Sequence, residues 1–261
     1  MIRKIIHLDL DAFFCAVEEQ RDPSLIGKPF AVGGRPQERG VVSSCSYAAR
    51  SFGVHSAMPM ARAIRLCPDM IIISPHYNDY RKASIQVMEE LQHITSSVEQ
   101  ISIDEAFLDV SDLPESAETI ANQLQQTIIT KYGLPCSLGV ATNKLVAKIA
   151  TDSGKSASNR SGPPNAITIV PHGNEAAFLA PLPTRSLWGI GPKTAERLEE
   201  LGIKTIADLA SAPENKIKPL FGKLTKEVLT RALGVDESPI VTHHETKSIS
   251  QETTFPRDIT D

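Results

Sequence analysis

Residues 4–14, KIIHLDLDAFF, decide how the rest of this chain is read. Ile5, Ile6, Leu8 and Leu10 form an apolar, β-branched run that predicts a buried strand ending near Asp11, and Ala12-Phe13-Phe14 leads into a helix over about Phe13 to Gln20. A carboxylate at the end of a buried strand stands where active sites of mixed α and β folds collect. Asp9 and Asp11 share one strand face by period two, and spacing alone does not choose between them.

Outward from that strand, residues 98–110, VEQISIDEAFLDV, are two β-rich runs around the polar step Ser102-Ile103-Asp104-Glu105, the pattern of a hairpin. Between the two stretches, Gly27, Gly33-Gly34, Gly40, Gly53, Pro59 and Pro68 break residues 23–75 into a small subdomain of short strands and helices. Residues 79–95 then carry Ile85, Met88, Leu91 and Ile94 at helical spacing. Beyond the hairpin come an amphipathic helix over about 115–132, the strand CSLGVA, a helix near Lys144 to Asp152, a polar loop SGKSASNRSGPPN at 153–165, the strand AITIV, and short helices to about Gly234. The order β, insert, α, β, β, α, β predicts an α+β fold with a ferredoxin-like layer, helices on one face of an antiparallel sheet.

The chain of 261 residues, 41% hydrophobic and 22% charged, suffices for one large or two to three modest domains. No apolar run reaches the roughly eighteen residues of a membrane span, and Asp9 and Asp11 interrupt what would be a signal-peptide core after Arg3 and Lys4, so a cytoplasmic location is expected. Cys15, Cys45, Cys67 and Cys136 form no CxxC pair, and the histidines have no ligand spacing with them, which disfavours zinc and a disulfide framework. A net charge of -4 argues against nucleic-acid binding when taken globally. Its distribution argues the other way: Lys plus Arg against Asp plus Glu runs 3 to 10 over residues 75–132, but 4 to 1 over 133–172 and 9 to 7 over 173–233. An acidic block among basic ones suits a metal site beside phosphate-binding surfaces.

Asp9, with Asp104 and Glu105 brought beside it by the sheet, makes a cluster whose charges repel unless cations neutralise them. Such clusters hold magnesium, and a pair of ions suits phosphoryl transfer. Taken singly, Asp104 and Glu105 read as hairpin-turn residues and Asp9 as a strand-end cap. In SSCSYAAR, residues 43–50, Tyr47 and Arg50 stand on one helical face and could clamp a triphosphate; a solvated Arg above a packed Tyr is the bland alternative. Lys155, placed in the loop after the Lys144 helix, is a phosphate ligand or a solvated lysine. In LWGIGPKTAERLEELGIKT, residues 187–205, Gly189-Ile190-Gly191 predicts a tight turn with bare amides and Pro192 starts a helix. With Lys193 this resembles a helix-hairpin-helix, which binds duplex DNA without reading sequence; a plain turn between packed helices is the alternative.

In order, HLDLDAFFCAVE, SYAARSFGVHSAMP, SIDEAFLDV, GVATNKLVAKIATD and GIGPKTAERL resemble the motifs of Y-family (translesion) DNA polymerases of the bacterial DNA polymerase IV type, from residue 5 to about 235. The resemblance implies a low-fidelity, template-directed polymerase. Asp9 and Asp104 would be shared ligands of two Mg2+ ions, Glu105 the third carboxylate and the Leu10 carbonyl a backbone ligand, with Asp11 not essential. Phe14 matches the steric-gate position, and Phe13, Ser44, Tyr47, Arg50 and Lys155 the triphosphate pocket. It further implies a palm at 1–11 and 75–172, fingers at 12–74, and a thumb at 173–241 whose Gly189, Gly191 and Lys193 contact DNA. Residues 242–261 would be a linker and the start of a truncated little finger. The implied partners are primer-template DNA, a dNTP and, through a more C-terminal region, the sliding clamp; the protein would be a monomer with no membrane association. Two features depart from the pattern. Residues 156–165 replace a short KPNG-like turn, and the chain ends soon after KSISQETTF, where the family continues, so a catalytic fragment or a natural truncation is expected. A nucleotidyl cyclase shares such a sheet and carboxylates, but it has no use for the hairpin and no GGDEF-like loop is present. An inactive scaffold would tolerate loss of the carboxylates, and all three are kept.

Overall fold

The computed structural model describes residues 2–158, 162–243, 245 and 247–255. The strand β1 (Ile5–Leu10) ends where predicted, and Ala12 turns the chain sharply at φ 47°, ψ 44° before helix α1 (Phe13–Arg21). That left-handed conformation costs an L-residue about 1–2 kcal/mol and throws two phenylalanines to one side of the strand end. An insertion follows: β2 (Phe30–Gly33), β3 (Val42–Cys45), the single turn α2 (Tyr47–Arg50), α3 (Met60–Leu66) and β4 (Ile71–Ile73). Its sheet has the order β3-β2-β4 and a separate core around Ala31, Val54, Met58 and Met60.

The chain then returns through α4 (Tyr77–Ile94), the hairpin β5 (Val98–Gln100) and β6 (Glu105–Asp109), α5 (Ala117–Tyr132), β7 (Cys136–Ala141), α6 (Lys144–Ala157) and β8 (Ile167–Ile169). The large sheet has the order β5-β6-β1-β7-β8, with β1 central and antiparallel to both neighbours. Helix α5 begins at a Ser116 cap that accepts from the Thr119 amide, and it stops at Gly133, φ 63°, where the absent Cβ makes the left-handed cap cheap.

The ferredoxin-like order is as expected, with one difference. Helices α1, α4 and α5 pack on the face that carries Ile6, Leu8 and Leu10, while α6 covers the opposite face with Ile5 and Phe107 and adds β8 in parallel to β7. The near approach of α6 is a glycine effect: a Cβ at Gly139 would stand 2.0 Å from the Ala147 carbonyl oxygen. Helix α6 also runs past Asp152 to Ala157, so Lys155 lies in its last turn and not in a loop. Gly154, which reads as a helix breaker, faces Thr168 of β8, where a Cβ would meet Oγ1 at 2.3 Å. Packing there outweighs the roughly 1 kcal/mol propensity cost of a helical glycine. Of the predicted loop 153–165, residues 153–157 are helix and 159–161 lie outside the described residues, as do 244, 246 and 256–261 of the expected linker.

The C-terminal helices are α7 (Glu175–Leu179), α8 (Pro192–Glu200), α9 (Ile206–Ala210), α10 (Glu214–Phe221) and α11 (Thr225–Ala232). Their core, including Leu187, Leu198, Ile206, Leu209 and Ile217, is continuous with the α6 face of the sheet. Segment 234–241 straps back over the start of α6. Asn143 donates to the Gly234 carbonyl at 2.8 Å, the Leu145 amide to Asp236 at 3.1 Å, and the buried Lys144 to Glu99 and to the Pro239 carbonyl at 3.0 Å. Among the described residues no helix is long and apolar enough to cross a membrane.

Candidate active site

At the strand ends, β1 and β6 set Asp9 directly across from Glu105, and the Leu10 amide donates to the Asp104 carbonyl at 3.0 Å. Sheet pairing therefore brings together the three predicted carboxylates. A cavity of about 230 Å³ opens over this edge, lined by Asp9, Leu10, Phe13, Phe14, Ser44, Tyr47, Arg50, Asp104 and Lys155, together with Ala12, Ser43, Ser56 and Ile103. The strand end, the turn into α1, the insertion, the hairpin and α6 all contribute, so every predicted nucleotide-pocket residue stands on one surface. Glu105 is set back from it.

The carboxylates converge as strand neighbours but do not form a ready cage. Among the described residues no three acidic, imidazole or thiol groups are arranged to hold an ion. Each carboxylate turns to its own partner instead. Lys155 donates to Asp9 at 2.5 Å and sits 3.2 Å from Asp11, Lys148 donates to Glu105, and Ser102 Oγ donates to Asp104 at 2.6 Å. The lysines come from α6, which lies across the strand ends and satisfies charge that would otherwise repel.

Burial pushes Asp9 up to about 6; Lys155 opposes the shift, and Glu105 and Asp104 add to it. Burial would also raise Glu105, but His7 and Lys148 hold it down, at about 2. Lys155 stays firmly protonated, since Asp9 and Asp11 outweigh its burial. Asp11 is fully buried, accepts from Ser137 at 2.8 Å and from the Asn165 amide at 3.2 Å, and does not line this cavity. Asp9 is therefore the strand-end carboxylate that faces the cavity, and Asp11 serves the packing beneath it.

Arg50 lies over the Tyr47 ring, 4.7 Å from its centroid, and its Nε donates to the Cys45 carbonyl at 3.3 Å. Burial raises the Tyr47 hydroxyl well above its usual range, so it remains a neutral donor. At the other end of the chain, Gly189 takes φ 99°, a backbone open to glycine, and Gly191 caps α8, which starts at Pro192. The Arg231 guanidinium reaches this turn, within 3.5 Å of where a Gly189 Cβ would be, and lies over the Trp188 ring.

Sequence reasoning did not single out His7, Lys148, Tyr80 or Arg231. His7 shares the Asp9 face of β1 by period two; it is fully buried, with Nδ1 2.8 Å from Thr151 Oγ1 and Nε2 3.2 Å from Glu105. Lys144, Lys148 and Lys155 form a stripe at helical spacing on α6, a signal visible in the sequence once the helix is known to continue.

A sheet of this order, with acidic strand ends beneath a basic and aromatic cavity and a glycine turn leading into a helix beyond, is the arrangement expected of a nucleotidyl-transferring polymerase. Residues 8–152 match the impB/mucB/samB family and residues 172–203 the IMS family HHH motif. The chain is 42% identical over 260 residues to the DNA polymerase IV of Alkalilimnicola ehrlichii, covering 98% of this chain and 71% of that protein. It is 41% identical over 263 residues to the DNA polymerase IV of Pseudomonas aeruginosa, covering all of this chain and 73% of the relative. The crystal structure of DinB from Sulfolobus solfataricus superposes with a TM-score of 0.82 at 31% identity, covering 91% of this chain and 69% of that one. An insertion ternary complex of Dbh DNA polymerase superposes equally well, 0.82 at 32% identity, with the same coverage. The chain belongs to the impB/mucB/samB family, the Y-family DNA polymerases, on the side of the bacterial DNA polymerase IV proteins.

Proposed function

We propose that this chain is a low-fidelity, template-directed DNA polymerase of translesion synthesis and DNA repair, extending a primer 3' end with dNTPs by phosphoryl transfer at the Asp9–Asp104–Glu105 edge. The observation that carries the site assignment is the single cavity in which carboxylates, a paired Tyr47 and Arg50, Lys155 and the Phe13-Phe14 rings meet. Arg50 and Lys155 offer charge to a triphosphate and Tyr47 offers a neutral hydroxyl, while Phe13 and Ser44 shape the pocket. Phe14 stands as the steric gate against a ribose 2'-hydroxyl.

The donors at the floor are hard oxygens, and burial disfavours the charge of Asp9, a cost that a bound cation would offset, which fits magnesium. Asp9, Asp104, Glu105 and the Leu10 carbonyl would hold two Mg2+ ions, whose chemistry is to activate the primer hydroxyl and stabilise the leaving pyrophosphate. Lys155, already tied to the fully buried Asp11 as well as to Asp9, keeps one carboxylate partner when Asp9 is otherwise engaged.

On this reading residues 1–11 and 75–172 are the palm, 12–74 the fingers, 173–241 the thumb, and 242–261 a linker and the start of a little finger. Gly189, Gly191 and Lys193 hold a DNA phosphate. The enzyme works as a monomer in the cytoplasm on primer-template DNA and a dNTP, with the sliding clamp as a further partner. Primer extension with Mg2+ and each dNTP in turn tests the reading. Templated addition of single nucleotides is expected; no addition, or formation of a cyclic nucleotide, would sink it.

A further inference from the structure

Phe14 can exclude a ribose hydroxyl by contact only if its ring cannot retreat. An aromatic side chain on a helix has few but real alternative rotamers, so the cost of pushing it aside depends on what stands behind it. Behind Phe14 stands Tyr80 of α4. The two rings are stacked, with centroids 4.2 Å apart and 13° between planes, and Tyr77 meets Phe14 edge-on at 6.3 Å. Phe14 is partly exposed and lines the cavity, whereas Tyr80 is fully buried and does not. One face of the gate is open to the nucleotide and the other is covered.

Tyr80 is itself held. Its hydroxyl donates to Glu18, a buried carboxylate that also pairs with His76 Nδ1 at 2.8 Å and with Arg21 Nε at 3.3 Å. Arg21 in turn reaches Asp79. Glu18 is one turn beyond Phe14 on α1, while His76 and Tyr80 belong to the start of α4, so the gate comes from one helix, its support from another, and a buried anion joins them. The polymerase chemistry itself makes no use of Glu18, His76 or Tyr80.

We infer that Tyr80 is a specificity-determining residue for the sugar, the rigid support against which Phe14 excludes ribonucleotides. The inference rests on the reading of Phe14 as the gate. Replacing Tyr80 by a smaller or more pliant side chain leaves room behind Phe14, the ring recedes under pressure from the extra oxygen, and deoxyribonucleotides, which never press on it, are used much as before.

The test compares kcat/KM for a dNTP and the matching rNTP in the full chain, in Tyr80→Phe, Tyr80→Leu, Tyr80→Met and Phe14→Ala, and in the double variant Phe14→Ala/Tyr80→Leu. The ratio cancels the fraction of active protein, so a partly unstable variant still reports, and Tyr80→Met keeps most of the buried volume should Tyr80→Leu fail to fold. Tyr80→Leu and Tyr80→Met should each reduce discrimination by on the order of tenfold or more, within the range that one small group in a pocket supports. Tyr80→Phe, which keeps the ring, should restore it to near the parent value, and the double variant should discriminate no less than Phe14→Ala alone. If Phe14→Ala relaxes sugar choice while Tyr80→Leu and Tyr80→Met keep the parent ratio, the supporting role is overturned and the gate survives. An unchanged ratio in Phe14→Ala removes the gate itself and the inference with it.

Discussion

Lys155 and Lys148 hold Asp9 and Glu105 from one side of the strand ends, and Ser102 holds Asp104 from the other. Burial already disfavours the Asp9 charge, and Lys155 keeps Asp11 as a partner, so losing Asp9 changes chemistry more than folding. Asp9→Ala or Asp104→Ala should lower single-turnover extension by about a thousandfold or more, equivalent to roughly 4 kcal/mol of transition-state stabilisation, with the melting temperature and duplex affinity close to the parent. Extension within tenfold of the parent would remove both residues from the catalytic set. The candidate site was legible at this scale because its residues sit in short local motifs: Asp104 and Glu105 where a hairpin enters β6, Tyr47 and Arg50 in one helical turn. His7 and Tyr80 were not, since a lone histidine in a strand and a tyrosine at a helix start look like ordinary core residues until the facing element is known.

Helix α6 shows what local pattern cannot give. The Ser-Gly pair at 153–154 reads as a stop, and the helix continues only because Gly154 fits against β8, a contact made by residues well apart in the chain. That error of one turn displaced Lys155 from a rigid element to a loop, and it hid the lysine stripe as well. The hairpin beside β1, by contrast, was expected from the hydrophobic pattern, whereas β7 on its other edge is a pairing that only the folded sheet reveals. Gly139 offers the test at this scale. An added Cβ would collide with the Ala147 carbonyl, so Gly139→Ala should lift α6 from the sheet and destabilise the fold by about 1–3 kcal/mol. It should also weaken dNTP use, because Lys148 and Lys155 move with the helix. Thermal melts and steady-state kinetics on the same preparation check this; an unchanged melting temperature would mean that the backbone yields freely there.

Over the whole molecule, a net charge of -4 leaves little long-range attraction for DNA, and on the proposed reading binding rests on a few placed groups around Gly189, Gly191, Lys193 and Arg231. This chain should therefore hold primer-template weakly, in the micromolar range typical of non-specific contacts at physiological salt. Lys193→Ala should weaken it about equally on any sequence and reduce the slope of log affinity against log salt by about one. Titrations at several salt concentrations read both quantities, and an unchanged slope would exclude Lys193 as a phosphate contact.

The central position of β1 governs timing as well as shape. Both of its neighbours, β6 and β7, are made after it, the second ending only at Ala141. At roughly 5–20 residues per second, the apolar side chains of β1 wait on the order of ten seconds with both edges unpaired. Non-local pairing of this kind also folds slowly. The nascent segment is thus a client for any factor that shields bare strands. During the same interval Asp9 has no Glu105 beside it, so the proposed carboxylate centre is not assembled until its scaffold is complete.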